Sequence, residues 1–225
     1  ALRRAQILMT LQRPFEARRY VDRASSLAAR GARPEDVGLA SMRQGDLLLE
    51  TGAAAAARDS FARAVEHFER AGHAFNAGFA EQSRLAALLE LGEYEACLRG
   101  AQALAAALAD DGPPRLHVVA LRLQAQAQFG LGRLDEAEAV LQDALARFEA
   151  QRDALDDAAD RVGLFASNGE IYASLARIAL TRGDTLEAFA TVERGRATAH
   201  RHDDAPPIDS LQRHLRGDDA ALVLF

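Results

Sequence analysis

Apolar positions along the chain recur three and four residues apart, in stretches separated by short polar or glycine-bearing breaks. That spacing predicts amphipathic helices rather than strands, because it keeps the apolar side chains on one face of a 3.6-residue turn. One such stretch, "VVALRLQAQAQFGL", runs up to Gly132, and a second, "DEAEAVLQDALARFEA", starts just beyond it. A helix, a tight turn and a second helix make a hairpin. The turn residues Gln12, Gly52, Gly92 and Gly132 follow one another at a constant interval of 40. Five positions after each turn stands a small residue: Ala17, Ala57, Cys97 and Ala137. A fifth copy sets Gly183 and Ala188, after a longer interval of 51.

Constant spacing at this length is the mark of a repeat architecture. Glycine at the turn supplies the left-handed backbone that ends the first helix. The small residue on the second helix lets the two helices come close, where a larger side chain would hold them apart. A second small residue lies seven positions before the turn, at Ala5, Gly45, Ala125 and Ala176. The third copy has Leu85 there, so that hairpin is expected to be splayed or shifted in register. Breakers separate the hairpins: "RGARPED" with Pro34, "RAGH" with Gly72, and "ADDGPPR" with Gly112, Pro113 and Pro114. The extra residues before the fifth copy hold few breakers, so they read as a lengthened helix capped near Asp156 or Asp157. The closing "AALVLF" reads instead as a buried strand, which needs a sheet that the helices do not offer.

Strings such as "LGEYEAC" and "LGRLDEA" in series resemble the tetratricopeptide repeat, over about residues 1–200. The repeat is longer than the usual ~34 residues, in the style of the kinesin-light-chain members of that family. The resemblance implies an all-α, right-handed α-solenoid of about five helical hairpins over residues 1–203. Residues 204–225 would then hold a linker, a short helix and one orphan β-strand. The run "EAFATVERGRATAHR", followed by Pro206–Pro207, "IDSLQRHL" and "AALVLF", resembles the junction in bacterial proteins where such repeats precede a CHAT domain, a caspase-like cysteine peptidase. In that family the catalytic His and Cys lie beyond the first strand, downstream of Phe225. The resemblance therefore implies a regulatory, protein-binding, cytoplasmic module without catalysis of its own. A passive scaffold, or the sensor region of a transcriptional or signalling ATPase, are the alternative readings.

Carried over by repeat position, the first helices line a concave groove that would bind a protein or peptide. That groove includes Met42, Asp46, Phe79, Gln82, Val119, Arg122, Gln126, Phe129, Glu170 and Arg177, with Ala86 and Ala173 beside them. Leu49 and Leu89 stand equally as groove residues or as packing against the neighbouring repeat. The strand at residues 221–225 offers a further route, self-association of two copies.

Composition changes the picture little. A chain so rich in Ala favours helices packed closely on helices. All 27 basic residues are Arg, interleaved with 33 Asp and Glu, so no basic stripe points to nucleic acid. No apolar run approaches the ~18 residues of a membrane span. The start "ALRRAQILMTLQRP" has neither an initiating Met nor a signal-peptide core and reads as a boundary cut into a longer chain. Candidate chemistry is sparse. Cys97 sits at a small-residue packing position, which assigns it to structure rather than nucleophilic attack. His200 and His202 point to different faces of a helix end, which does not make a metal pair. His67 and His73 flank a turn, and His117 and His214 stand alone. No catalytic residue, cofactor site or metal site is expected in this chain.

Overall fold

The computed structural model describes residues 1–11, 13–28, 30, 33–109, 112–153 and 169–200. The lengthened helix expected before the fifth hairpin, and the linker, short helix and strand of residues 204–225, lie outside the described residues. So does the expected domain boundary at residue 203. The chain divides into two compact units, Ala1–Phe148 and Glu149–Phe225.

The first unit is built from consecutive helices: α1 (Leu2–Thr10), α2 (Pro14–Ala28), α3 (Pro34–Glu50), α4 (Ala54–Arg70), α5 (Ala74–Glu90), α6 (Tyr94–Ala107), α7 (Pro114–Gly130) and α8 (Leu134–Asp153), the last running past the unit boundary. Neighbouring helices in the series from α1 through α7 pack on one another. First helices also touch directly, α1 on α3 and α5 on α7. The second unit holds the hairpin of α9 (Glu170–Thr181) and α10 (Thr185–His200). No strand occurs among the described residues.

The hairpin turns share one hydrogen-bond scheme. At the α3–α4 turn the Gly52 amide donates to the Leu49 carbonyl (2.9 Å), and the Ala53 amide donates to the Leu48 carbonyl (2.8 Å). This pair of bonds satisfies two carbonyls that the helix end would otherwise orphan. It requires positive φ at the glycine, which is 78° at Gly52 and 76° at Gly132. The same bonding recurs around Gly92, Gly132 and Gly183, and also at Gly72 between hairpins. At the first turn, where the sequence has Gln rather than Gly, the Arg13 amide still donates to the Leu8 carbonyl at 2.8 Å.

Within a hairpin, volume is shared between facing positions. A Cβ added to Gly45 on α3 would lie 2.5 Å from the Phe61 ring of α4, so the glycine is the hollow into which the ring packs. Ala57, Cys97, Ala137 and Ala188 are all buried, as are Ala5, Ala125 and Ala176. In the third hairpin the sizes are exchanged. Leu85 on α5 is fully buried, and the facing residue on α6 is Gly100, whose added Cβ would lie 2.5 Å from Leu85 Cδ2. The α5 and α6 backbones come together less closely than those of α3 and α4. A leucine on the first helix is thus accommodated partly by separation and partly by a glycine opposite.

Candidate interaction surface

The first helices α3, α5, α7 and α9 carry the residues named above for a partner, and the structure sorts them. Met42 is half-buried and packs against two groups of buried residues, Ala64–Phe68–Ala77–Ala80 and Ala57–Phe61–Ala87. Leu49 packs against the second group as well. Val119 is buried. The side chains of these three are engaged in packing.

Asp46 is half-buried, with Arg43 Nη1 donating to Oδ2 at 2.8 Å. Burial raises its carboxyl pKa, and the Arg43 guanidinium opposes that rise. Gln82, Ala86, Leu89, Arg122, Gln126 and Phe129 are each half-buried. In the second unit, Glu170, Ala173 and Arg177 are exposed on α9.

Phe79 belongs to a pair that the repeat pattern did not single out. Its ring meets that of Phe75 edge to face, with centroids 4.8 Å apart. Phe75 is 57% exposed. Two phenylalanines one helical turn apart are visible in "AFNAGF", but their i, i+4 spacing alone does not tell a core stripe from a surface pair. Further along α5, Arg84 forms a two-pronged bridge to Glu81, donating from Nε and Nη2 at 2.7 Å each. An aromatic platform and a fixed ion pair therefore share one helix.

Two titratable groups of the first unit, Cys97 and His117, are buried. Cys97 Sγ is fully buried, 3.5 Å from the Leu85 carbonyl oxygen and 4.0 Å from that of Leu123. Burial pushes its thiol up to about 11, which keeps it protonated and unreactive at neutral pH. His117, buried on α7, has its pKa lowered first by burial and then by Arg147, against the opposing pull of Asp143. Among the described residues no three His, Cys, Asp or Glu side chains gather as a metal site. No helix among them is long and apolar enough to cross a membrane.

No family model matches the chain, and no curated protein matches it in sequence. Solved structures do match. Two are crystal structures of the nearly identical TPR-like repeats of a kinesin-light-chain type from Podosopora anserina, one of them carrying a point substitution. The substituted form superposes with a TM-score of 0.69 at 15% identity, covering 89% of this chain and 93% of its own. The other gives a TM-score of 0.67 at 15% identity, covering 90% and 95%. BtubC (BKLC) from P. vanneervenii superposes at 0.65 and 15% identity, over 98% of this chain and 84% of its own. At such identity the likeness establishes the fold, a TPR-like array of helical hairpins, and nothing further.

Proposed function

We propose that this chain is a protein-binding module whose first-helix face recognises a peptide or helix of a partner protein. The observation that carries the reading is the Phe75–Phe79 platform. It is an edge-to-face aromatic pair on a first helix, Phe75 exposed and Phe79 half-buried, on the same helix as the Glu81–Arg84 bridge and within the same unit as Asp46, Arg122, Gln126 and Phe129. Aromatic anchors bordered by polar groups are what a binding hot spot requires, since burial of the rings provides affinity and the polar rim fixes orientation. TPR-like arrays suit this use because their stacked hairpins create extended surfaces without a catalytic pocket.

Within that reading, the partner docks in a concave groove of first helices, in the cytoplasm. The ordered state of the array then controls a CHAT-type peptidase joined through residues 204–225. Control of that kind needs a partner with different affinity for two arrangements of the array. The strand of residues 221–225 pairs with the peptidase sheet, and in its absence with the same strand of a second copy. The test is a titration of a captured and purified partner against the wild-type chain and against Phe75→Ser and Arg122→Glu, with circular dichroism as the folding control. Each variant is expected to weaken binding at least tenfold while keeping its helicity. Unchanged affinity in both would remove the first-helix face as the binding surface.

A further inference from the structure

Charge is unevenly spread along the first unit. Residues 1–33 carry eight arginines and two acidic residues, whereas residues 34–148 carry 10 arginines and 17 acidic residues. Beyond the first hairpin, several arginines are held by a carboxylate of their own helix, as in Arg43–Asp46, Arg70–Glu66, Arg84–Glu81 and Arg147–Asp143. In the first hairpin Arg13 is held by Glu16. Among the described residues, no carboxylate pairs with Arg4, Arg18, Arg19 or Arg23.

The repeat shows what such a carboxylate would do. Arg84 stands eight residues before its turn glycine, and Glu81, one helical turn earlier, binds it from both oxygens at 2.7 Å. The pair borders Gly100, eight residues after the turn, whose added Cβ would lie 3.2 Å from Glu81 Oε1 and 3.4 Å from Arg84 Nη2. The first hairpin has Arg4 and Tyr20 at these two positions, but Ala1 where Glu81 stands. The Arg4 guanidinium lies 6.0 Å from the centroid of the Tyr20 ring, and that of Arg19 lies 4.7 Å from it. Arg19 Nη2 also donates to the Tyr20 hydroxyl oxygen at 3.0 Å, which leaves the phenol proton to donate to a further acceptor. Arg4 first, and Arg19 after it, pull the phenol below its ordinary pKa against the effect of burial. Two guanidiniums and a hydroxyl thus converge where no carboxylate of this hairpin reaches.

Arg23 follows Arg19 by one turn of α2, so the two share a face. Both are exposed, and so are their counterparts in the inner hairpins: Asp59, Arg99 and Ala139 for Arg19, and Arg63, Ala103 and Asp143 for Arg23. These positions therefore face solvent in hairpins that have neighbours, not only in the first.

We infer that the α1–α2 hairpin is a second docking surface, and that its occupant is an acidic segment of a partner protein. One of its carboxylates takes the place beside Arg4 that Glu81 fills beside Arg84, accepting from the guanidinium and from the Tyr20 hydroxyl. Others sit on Arg19 and Arg23. Charge-assisted bonds of this kind are among the stronger hydrogen bonds. A short acidic segment fits this surface better than a nucleic acid or an anionic membrane. Either of those extends past one hairpin and meets the acidic remainder of the unit, where like charges repel. The surface lies on a different hairpin from the Phe75–Phe79 pair and does not depend on it.

Fluorescence anisotropy of a labelled oligo-glutamate peptide with the full 225-residue chain tests this, with oligo-glutamine as the neutral control. The wild type is expected to bind oligo-glutamate and not oligo-glutamine, with affinity falling as salt rises. Arg4→Gln combined with Arg19→Gln should weaken binding by about tenfold or more, whereas Arg63→Gln combined with Arg99→Gln, which removes equal charge from α4 and α6, should change it by less than about twofold. Ala1→Glu should also weaken binding, because it supplies the carboxylate from within. It leaves every arginine in place and carries the test should the first pair lose helicity. No binding of oligo-glutamate by the wild type would overturn the inference. Equal losses in the two arginine pairs would reduce the effect to net charge and overturn it too, as would unchanged binding by Ala1→Glu. Tighter binding of oligo-uridine, or of phosphatidylserine vesicles, lost in the same variants, would make this a nucleic-acid or membrane surface and would equally overturn it.

Discussion

Leu85 and Gly100 form the pair whose perturbation reports most directly on how the hairpins are packed. Leu85→Ala removes a fully buried leucine, which costs about 2.7–5 kcal/mol depending on how far the site collapses. Gly100→Ala alone has two opposing effects. Alanine gains ~1 kcal/mol of helix propensity over glycine. Its new Cβ would lie 2.5 Å from Leu85 Cδ2 and 3.2 Å from Glu81 Oε1, an overpacking that costs ~1–3 kcal/mol. The net change is a destabilisation of about 0–2 kcal/mol. In the Leu85→Ala background the Cδ2 atom is gone, so Gly100→Ala should there be stabilising by about 1 kcal/mol. The double-mutant cycle is therefore expected to show a coupling of ~1–3 kcal/mol in favour of the double variant. Urea unfolding followed by far-ultraviolet circular dichroism of the four proteins measures it. Additivity within about 0.5 kcal/mol would mean that the two residues do not share space, and the account of the third hairpin would be wrong.

Two further predictions concern buried positions of the second helices. Ala137→Arg, which forces a charged side chain into a fully buried site, should cost ~3 kcal/mol or more, whereas Ala139→Arg on the exposed face should stay within about 0.5 kcal/mol. Equal effects in denaturant melts would mean that the second helix has another register. Cys97 should be inert to thiol reagents until the chain unfolds, and should make stability fall in alkali. Its folded thiol, pushed up to about 11, holds its proton more tightly than the unfolded thiol at ~8.5. The stabilising term is therefore complete below the unfolded value and is lost as pH rises through the folded one, by on the order of 3 kcal/mol. Urea midpoints at about pH 8 and about pH 10.5, on either side of the unfolded value, should diverge more for wild type than for Cys97→Ala, and parallel losses would contradict the assignment.

The helical hairpins were legible in the sequence because their causes are local. A 3.6-residue apolar period and a glycine at Gly52, Gly92, Gly132 and Gly183 act within a few residues of themselves. The turn bonding follows from the backbone alone, which is why even the Gln12 turn keeps its bond from Arg13 to Leu8. What the repeat pattern did not determine is burial, because burial belongs to the neighbours. Met42 and Asp46 stand one turn apart on α3, yet one packs against buried groups and the other holds Arg43. Phe75 and Phe79 could have been core, and only the packing of α5 leaves the former open. Leu85 departed from its repeat position, and the glycine that answers it lies across the hairpin, where no local rule connects the two. The tertiary structure decided these cases, since the free energy of burying a side chain depends on which surface arrives to exclude water from it.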